Sequence, residues 1–408
     1  MARDGFKVPK LLEKTLEEHW EWMSKEPVWV GTYGVQDKNG RHHHAKFGDT
    51  LRRPRLAHSL ELIAQHGAKI YYDGIIGEAL VNATDAAGGI LTRDDLRSYR
   101  AVIRSTVNTY YHGRKITTCT LPSSGPVLLS VLNMMERFNF KAEENKDLNV
   151  HRLIEGLKFG YALRTELGDP DFIDIGSRLD EIMSKEYSSD IRRNISDETT
   201  FPPLYYGPKY DKIENHGTMH ISVVDKDDGA VALTTTVNLG FGSRLMDPVT
   251  GIILNNEMDD FSIPGQPNAF DLYPSKMNYI APGKRPLSSM SPTIVERDGM
   301  FELAVGGSGG SKIISSVLNV LLNYLDNGHD LLDAVATPRV HHQLLPNKVD
   351  IETGIDQQIV KSLRKRGHEI YQLGKGDTIS AVEMVGRAAD GTVQAASDPR
   401  KFALGSAY

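Results

Sequence analysis

Apolar residues recur every three or four positions through much of the first 200 residues, which is the spacing of amphipathic helices. The stripe within residues 11–20 and the segments 149–166 and 177–193 predict three of these helices. Two β-rich stretches separated by a short turn predict a hairpin over residues 101–121. The first half of the chain is therefore expected to be mainly helical, with one inserted hairpin.

The pattern changes after the Pro202-Pro203 pair, and strands dominate the prediction from there. The strand candidates are residues 220–225, 230–238, 293–296, 301–305, 349–352, 379–385 and 393–396. Helices predicted over 312–325 and 356–366 separate them. Because we find no internal repeat or flexible linker, we expect strands from both halves to share one core.

Composition narrows the class of protein. With 40% hydrophobic and 25% charged residues, the 408-residue chain falls in the ordinary globular range. A formal net charge of -6 without a basic cluster argues against a nucleic-acid partner. Cys119 is the only cysteine, which excludes an intrachain disulfide and a cysteine-based zinc site. Residues 1–22 contain no signal or anchor pattern, so the compartment stays open.

The predicted hairpin over residues 218–238 brings hydroxyl and amide side chains together. If residues 227–229 form a three-residue loop with Gly229 in the left-handed region, Thr218 lies opposite Asn238. Thr236 would then be diagonal to Thr218 on the same face. A β-branched run that only favours strand structure is the alternative interpretation.

An acidic segment, residues 255–260, follows a short apolar stretch. Its carboxylates, among them Glu257 and Asp260, are suited to binding a desolvated ammonium group, which needs several acceptors. A calcium loop is the competing interpretation, but the spacing lacks the ligand alternation of an EF-hand. A solvated acidic turn also remains open.

Two further loops carry candidate anion-binding groups. Ser288 and Ser289 lie in a loop bracketed by Pro286 and Pro292, where adjacent hydroxyls suit a carboxylate. The glycine-rich run 306–312 follows a strand and opens a helix, so its backbone N–H groups can converge on an anion or form an oxyanion hole. A plain tight turn and a serine-hydrolase elbow of the G-x-S-x-G type are the alternatives.

Two histidine clusters invite a metal interpretation that we do not adopt. The run His42-His43-His44 has no carboxylate or further histidine at helical spacing, so we expect an exposed hairpin tip. The pair His341-His342 stands in a partly apolar stretch and is expected to pack. No metal is predicted.

Taken together, these segments resemble a known family in the same order along the chain. Those similar to the small subunit of γ-glutamyltransferases are 216–225, 236–238, 255–261, 286–292 and the glycine run. Those similar to the large subunit are Tyr72-Asp73-Gly74, Ala87-Gly88-Gly89, Ser123-Ser124-Gly125-Pro126 and residues 167–172. The resemblance covers essentially the whole chain, and its motifs are specific.

The resemblance implies an α/β fold, the four-layer αββα sandwich of N-terminal-nucleophile hydrolases. It implies self-cleavage of the Gly217-Thr218 bond, which would divide the chain into a large-subunit part, 1–217, and a small-subunit part, 218–408. These fragments would stay associated in one intertwined fold. Thr218 would then be both nucleophile and, through its new α-amino group, general base.

The resemblance also implies roles for the other candidates. Thr236 would orient Thr218, and the Gly309 and Gly310 amides would stabilise the oxyanion. The expected donor-binding residues are Asn238, Glu257 and Asp260 for the α-ammonium and Ser288 and Ser289 for the α-carboxylate. The expected reaction transfers the γ-glutamyl group of glutathione and other γ-glutamyl compounds to water, amino acids or dipeptides, without a cofactor.

Two alternative functions stay open, and a departure from the family pattern favours one of them. The family's large subunit normally begins with a longer stretch that contains an arginine for the donor carboxylate and often a signal or anchor. Family members are usually secretory, membrane-anchored or vacuolar. Because that stretch does not precede Met1, a truncated non-catalytic homologue is one alternative function. A related amide acylase on the same scaffold is the other.

Overall fold

The computed structural model describes residues 1–211, 217–269, 271–374, 377–388 and 390–407. It contains two compact units. The first, here the helical unit, comprises Met1–Ile103 and Leu239–Asn256, and the second, the sandwich unit, comprises Arg104–Asn238 and Glu257–Tyr408. Among the described residues, no helix is both long and apolar enough to cross a membrane.

The helical unit is built from short elements around an aromatic core. Its elements are β1 (Phe6–Lys7), α1 (Lys10–Met23), α2 (Pro27–Tyr33), β2 (Gly34–Gln36), β3 (His42–His44), β4 (Thr50–Leu51), α3 (Pro54–His66), α4 (Lys69–Tyr72), α5 (Ile75–Ala86) and α6 (Arg93–Ser98). The stripe predicted over residues 11–20 is confirmed as α1, which buries Leu16 and Met23. The rings of Trp22 and Trp29 pack edge to face beside Phe241, and the centroids of the two Trp rings are 4.9 Å apart.

The histidine run does not form the hairpin tip that the sequence suggested. His42 to His44 are strand β3, paired with β2, and His42 alone among the three is exposed. The tip lies earlier because the Asp37 carboxylate accepts the backbone N–H groups of Asn39 at 2.8 Å and Arg41 at 2.9 Å. That side chain fixes the turn before the histidines begin.

The sandwich unit contains most of the strands. Its strands are β5 (Val107–Tyr111), β6 (Arg114–Thr118), β7 (Gly217–Val224), β8 (Ala230–Asn238), β9 (Thr293–Arg297), β10 (Met300–Ser308), β11 (Val340–His341), β12 (Val349–Ile351), β13 (Ile370–Gln372), β14 (Ala381–Arg387) and β15 (Val393–Ala396). Its helices are α7 (Gly125–Met135), α8 (Lys146–Arg164), α9 (Gly176–Met183), α10 (Lys185–Arg192), α11 (Ile313–Leu325), α12 (Leu331–Ala336) and α13 (Gln357–Lys365). The predicted hairpin over 101–121 is confirmed as β5 and β6.

Six antiparallel strands form the central sheet, in the order β15-β14-β10-β9-β6-β5. Strands β5 and β6 precede Gly217 in the chain and the other four follow it, so the sheet draws on both halves, as expected. The predicted covalent division at Gly217-Thr218 remains a prediction.

The two faces of this sheet bury different layers, because successive residues of a strand point to opposite sides. Leu303 and Val305 of β10 join the main core with the helices α7, α8 and α11. Ala304, between them, packs with Val224 and Ala232 of the β7–β8 hairpin. A helical layer, the six-stranded sheet and a two-stranded sheet therefore lie one on another, as in successive layers of an αββα sandwich.

Close helix packing behind the sheet depends on a small residue. A Cβ atom added to Gly160 of α8 would lie 2.4 Å from Cγ2 of Val131 on α7, so a larger residue would force the helices apart.

Helix α8 also contains a charged pair, Glu155 and Lys158, whose side chains are fully buried. The Lys158 Nζ atom lies 3.8 Å from Oε1 of Glu155. Burial raises the pKa of Glu155 and lowers that of Lys158 to about 8.

One helix predicted from the sequence is two in the structure. The segment 177–193 forms α9 and α10, which are separated at Ser184. The Ser184 hydroxyl accepts the backbone N–H of Tyr187 and caps α10, and this local hydrogen bond competes with a continuous helix.

The expected packing of His341 and His342 is confirmed, since both are almost fully buried.

Candidate active site

The candidate nucleophile lies at the start of the β7–β8 hairpin, whose register differs from the predicted one. Gly217, rather than Thr218, lies opposite Asn238. The register then shifts between Gly217 and Met219, so Thr218 occupies an irregular position in the ladder. Thr218 itself is half-buried. His216, which precedes the hairpin, lies outside the described residues.

The loop of this hairpin explains why the predicted register was wrong. It extends over residues 225–229, because the Asp225 carboxylate accepts the backbone N–H groups of Asp227 and Gly229, each at 2.8 Å. Asp228, not Gly229, takes the left-handed conformation, with φ of 65°. The longer loop moves the pairing of the whole hairpin relative to a three-residue loop.

Thr236 contacts the peptide bond that precedes Thr218. Its hydroxyl donates to the carbonyl oxygen of Gly217 and accepts the backbone N–H of Asn238, at 2.8 Å in the second case. The structure thus brings Thr236 and Thr218 together, as the sequence suggested. The hydroxyl of Thr236 is aimed at the bond expected to break.

The acidic segment lies beside the end of β8. Asn238 is 2% exposed and its side-chain amide donates to the Asp259 carboxylate at 3.3 Å. Residues 257–260 form a short 3-10 turn in which Asp260 is buried and Asp259 is exposed. Glu257 and Asp260 are the carboxylates that the family resemblance implies as donor ligands, whereas the contact to Asn238 comes from Asp259.

Two carboxyl groups of this turn share a buried environment. Burial, together with the neighbouring Asp260 carboxyl that is hydrogen-bonded to it, raises the pKa of Glu257 to about 7. Two like charges at one site disfavour joint ionisation, so one proton is held near neutral pH. A cation that enters this cluster would favour release of that proton.

The serine loop is anchored by the last residue of α8, which is distant from it in the sequence. Ser289 is 1% exposed, and its hydroxyl accepts a hydrogen bond of 3.0 Å from Arg164 at the end of α8. Ser124 accepts from the same guanidinium at 3.1 Å and donates to the Ser288 carbonyl at 2.6 Å. Ser288 is half-buried, and its hydroxyl accepts the Met290 N–H at 3.2 Å.

A buried amide joins the acidic turn to the serine loop. Asn278 donates to the Asp260 carbonyl at 2.7 Å and accepts the Leu287 N–H at 2.8 Å. Because the two segments share this one side chain, their separation is fixed. The candidate groups for an ammonium and for a carboxylate are therefore held at a constant spacing.

The glycine run forms the passage from β10 to α11. Gly309 has φ of 135° and Gly310 has φ of 71°, conformations that side chains with a Cβ rarely adopt. A Cβ on Gly309 would also lie 2.7 Å from the Ser380 hydroxyl oxygen. Ser308 is the last residue of β10, paired with Ala381 in the sheet, so it does not stand on the strand-to-helix turn of a serine-hydrolase elbow.

Lys401 joins the glycine run to Thr218. Its ammonium group donates to the Ser308 hydroxyl at 2.6 Å and to the Thr218 carbonyl at 3.3 Å. The start of β7 and the end of β10 are therefore adjacent, and the oxyanion role of the glycine pair beside Thr218 stays a prediction.

A buried ion network, here the C-terminal clamp, holds the turn that carries Lys401. Asp398 accepts from Arg339 at 2.8 Å and from Arg400 at 3.1 Å, and Arg400 also donates to Glu352. The side chains of Arg339 and Asp398 are fully buried. Buried charges of this kind are stable only when paired, so this turn is fixed to the sheet and to α12.

The whole chain matches one family. The family model of gamma-glutamyltranspeptidase matches residues 1–408 of this chain. The chain belongs to this family. The sequence-based prediction of a γ-glutamyltransferase relative, and of its enzyme class, is confirmed.

Curated members of the γ-glutamyltranspeptidase family are similar along the same length. Glutathione hydrolase proenzyme 2 of Schizosaccharomyces pombe is 40% identical over all of this chain and 67% of its own length. Glutathione hydrolase proenzyme of Escherichia coli is 38% identical over 98% of this chain and 68% of its own. The chain thus spans about two thirds of these relatives.

A solved structure confirms the predicted fold class of this γ-glutamyltranspeptidase relative. Cephalosporin acylase from Bacillus halodurans superposes with a TM-score of 0.81 over 98% of this chain and 71% of that one, at 22% identity. At that identity the likeness shows the fold alone.

Three residues of the site were missed by sequence reasoning. Asp259, Arg164 and Lys401 contact Asn238, Ser289 and Thr218 respectively. Arg164 and Lys401 gave no local signal, because a basic residue at a helix end or near a terminus is usually solvated. Asp259 belongs to the acidic segment 255–260, but the sequence does not show which of the carboxylates in that segment contacts Asn238.

Proposed function

We propose that this chain is a glutathione hydrolase and γ-glutamyltransferase that activates itself by cleaving the Gly217-Thr218 bond. The observation that carries the proposal is the hydrogen bond from the Thr236 hydroxyl to the Gly217 carbonyl oxygen. A donor on that oxygen stabilises the negative charge that develops when a nucleophile attacks the carbonyl carbon. The γ-glutamyltranspeptidase match over residues 1–408 supports the same assignment.

The cleavage step follows from the position of Thr218. Its hydroxyl attacks the Gly217 carbonyl carbon, the C–N bond breaks, and the amide nitrogen takes a proton and becomes a free α-amine. The ester left between Gly217 and the Thr218 side chain is then hydrolysed by water. The irregular ladder at this position leaves the bond outside regular strand pairing, which favours access to it.

The new α-amine makes Thr218 its own general base. An α-amino group has a pKa of about 7.7–8.0, so an appreciable neutral fraction accepts the hydroxyl proton near physiological pH. The hydroxyl oxygen attacks the γ-amide carbon of the donor, and the leaving amine takes the proton. Water or an acceptor amine, such as an amino acid or dipeptide, then releases the γ-glutamyl group from the ester. Gly309 and Gly310 supply the oxyanion donors in this scheme.

Donor recognition uses the two groups joined by Asn278. Glu257 and Asp260, with Asn238, bind the donor's α-ammonium, and Ser289 with Ser288 binds its α-carboxylate. This pair of sites favours a γ-glutamyl donor over the amide acylase alternative, because an acylase for other side chains has no need of an amino-acid clamp.

The proposal is tested by the mass of the purified full-length chain after incubation at neutral pH. We expect two fragments, residues 1–217 and 218–408, and a new terminus at Thr218. The cleaved protein should hydrolyse a γ-glutamyl anilide. A chain that stays at 45.3 kDa and releases no anilide would favour the non-catalytic alternative.

The titration of Glu257 predicts how donor affinity depends on pH. Binding of the α-ammonium requires the ionised cluster, and Glu257 takes up a proton as the pH falls through about 7. Each unit below that value should therefore raise the donor KM, by up to about tenfold for one proton. Glu257→Gln should bind donor more weakly at high pH and lose this dependence.

The measurement is KM and kcat between pH 5.5 and 8.5 for both proteins. The Thr218 amine also titrates in this range, but it affects kcat rather than KM. Its effect on kcat should therefore be the same in both proteins. An equal fall of donor affinity with acid in Glu257→Gln would show that another group is responsible. Folding stability gives an independent test. Because the pKa of Glu257 is raised in the folded protein, its ionised form destabilises the donor-free fold. Glu257→Gln should therefore have the higher free energy of unfolding of the two proteins above pH 7.

A further inference from the structure

We propose that Arg164 is a positioning residue for the donor's α-carboxylate, which turns the Ser289 hydroxyl toward that carboxylate and places a positive charge behind it. The inference rests on the proposed function, because it concerns the serine loop that binds the donor there. It adds a residue outside the set recognised from the family resemblance.

The hydrogen bonds of Arg164 determine the direction of the serine proton. A guanidinium group only donates, so the Ser289 and Ser124 oxygens act as acceptors toward it, at 3.0 and 3.1 Å. Ser124 uses its own proton on the Ser288 carbonyl, at 2.6 Å. The Ser289 proton is therefore directed away from Arg164, toward the side on which we place the donor carboxylate.

The positive charge of Arg164 also acts on the donor carboxylate. Arg164 is 2% exposed, so its charge acts in a largely desolvated environment. Burial lowers the pKa of Arg164 to about 10, while Tyr161 and Asp260 act in the opposite direction, so the group stays charged at neutral pH. The α-carboxylate of a bound donor adds an anion on the Ser289 side.

Arg164 and Asp260 together match the polarity of an α-amino acid. The negative carboxyl belongs to the turn that faces the ammonium, and the positive guanidinium stands behind the serine that faces the carboxylate. Asn278 fixes the distance between these two segments. A donor placed the other way round would meet like charges at both ends, so this arrangement orients the donor.

Helix α8 gives Arg164 a rigid position. Tyr161, three residues earlier on the same face, donates its hydroxyl proton to the Ser311 carbonyl beside the glycine run. One helix therefore supports both the serine loop and the loop proposed to stabilise the oxyanion. A change at Arg164 is expected to act on donor binding, whereas the Tyr161 contact remains.

The test compares Arg164→Gln and Arg164→Lys in the full chain, with two donors. One is a γ-glutamyl anilide, and the other is 4-aminobutyryl anilide, which lacks only the α-carboxylate. We expect Arg164→Gln to raise KM for the first donor roughly tenfold to a hundredfold, with kcat within about threefold, since a hydrogen-bonded charge is lost. The kcat/KM for the second donor should be unchanged. Arg164→Lys should recover part of the affinity, because it keeps the charge but not the planar fork.

Two controls separate positioning from a structural role. Arg178→Gln removes a partly buried arginine that pairs with Glu166 and Glu181, and it should leave the ratio of the two donors unchanged. In a Ser289→Ala background, Arg164→Gln should raise KM by a smaller factor than in the unmodified chain, because the hydroxyl that it orients is already gone and only its charge is lost. Equal losses on both donors, or full additivity with Ser289→Ala, would overturn the inference.

Self-cleavage distinguishes this test from that of the proposed function. If the unmodified chain forms no fragments and hydrolyses no anilide, the proposed function fails. If the unmodified chain is active and Arg164→Gln cleaves itself with an unchanged KM, only the inference fails. Should Arg164→Gln not fold, Arg164→Lys decides, and a donor ratio equal to that of the unmodified chain would overturn the role of Arg164.

Discussion

Replacement of Thr218 by alanine is expected to leave the protein as one uncleaved chain without γ-glutamyl hydrolase activity. The substitution removes the hydroxyl that attacks Gly217 and, later, the donor. Loss of a nucleophile together with its base typically lowers turnover by at least about 10⁴-fold. Intact mass and anilide release, measured on the same sample, give the two results independently.

Thr218→Ser is the matched variant for this prediction. It keeps a hydroxyl group and an α-amine at the same position, so it should form the fragments 1–217 and 218–408, although more slowly. Thr236→Val should also slow cleavage, since it removes the donor to the Gly217 carbonyl while keeping a β-branched side chain. Fragments of unchanged size from Thr218→Ala would contradict the mechanism.

Gly309→Ala is expected to lower kcat by about 10²–10³-fold, the usual effect of losing one oxyanion donor. The backbone φ of 135° at Gly309 is strained for alanine, and the new Cβ would lie 2.7 Å from the Ser380 hydroxyl oxygen. The loop must therefore move, and its N–H groups move with it. Donor KM should stay within about threefold, because the ammonium and carboxylate sites lie on other segments.

Gly299→Ala controls for backbone strain alone. Gly299 also has a positive φ, 78°, but a Cβ there would have no atom within 4 Å. It lies in the turn between β9 and β10, at the opposite end of β10 from Gly309. We expect its activity to be unchanged. A Gly309→Ala enzyme as active as Gly299→Ala would show that the glycine run does not stabilise the oxyanion.

Much of the layered architecture follows from local patterns in the sequence. The β5–β6 hairpin, α11 and α13 each occur close to their predicted positions, because each combines a clear periodicity with a turn or cap signal. The segment 177–193 shows the limit of this reasoning. Its periodicity continues across Ser184, and only the cap on Tyr187 N–H reveals the break.

The candidate site was predictable in its residue types but not in its detailed contacts. The sequence pointed to Thr218, the acidic turn, the serine pair and the glycine pair, since each is a compact motif. The register of β7 and β8 depended on two hydrogen bonds of the Asp225 side chain, which composition does not encode. Arg164 and Lys401 reach the site from distant parts of the chain, and long-range contacts of this kind have no local signature.

The C-terminal clamp has a consequence for how sequence variants of this protein should be interpreted. Asp398, Arg339 and Glu352 do not touch a donor in the proposed mechanism, yet they hold the turn from which Lys401 reaches Thr218. A harmful substitution among them would therefore resemble an active-site lesion in an activity screen. Variants at these positions can be sorted from true catalytic defects by measuring unfolding and turnover together, because the first group should lose both.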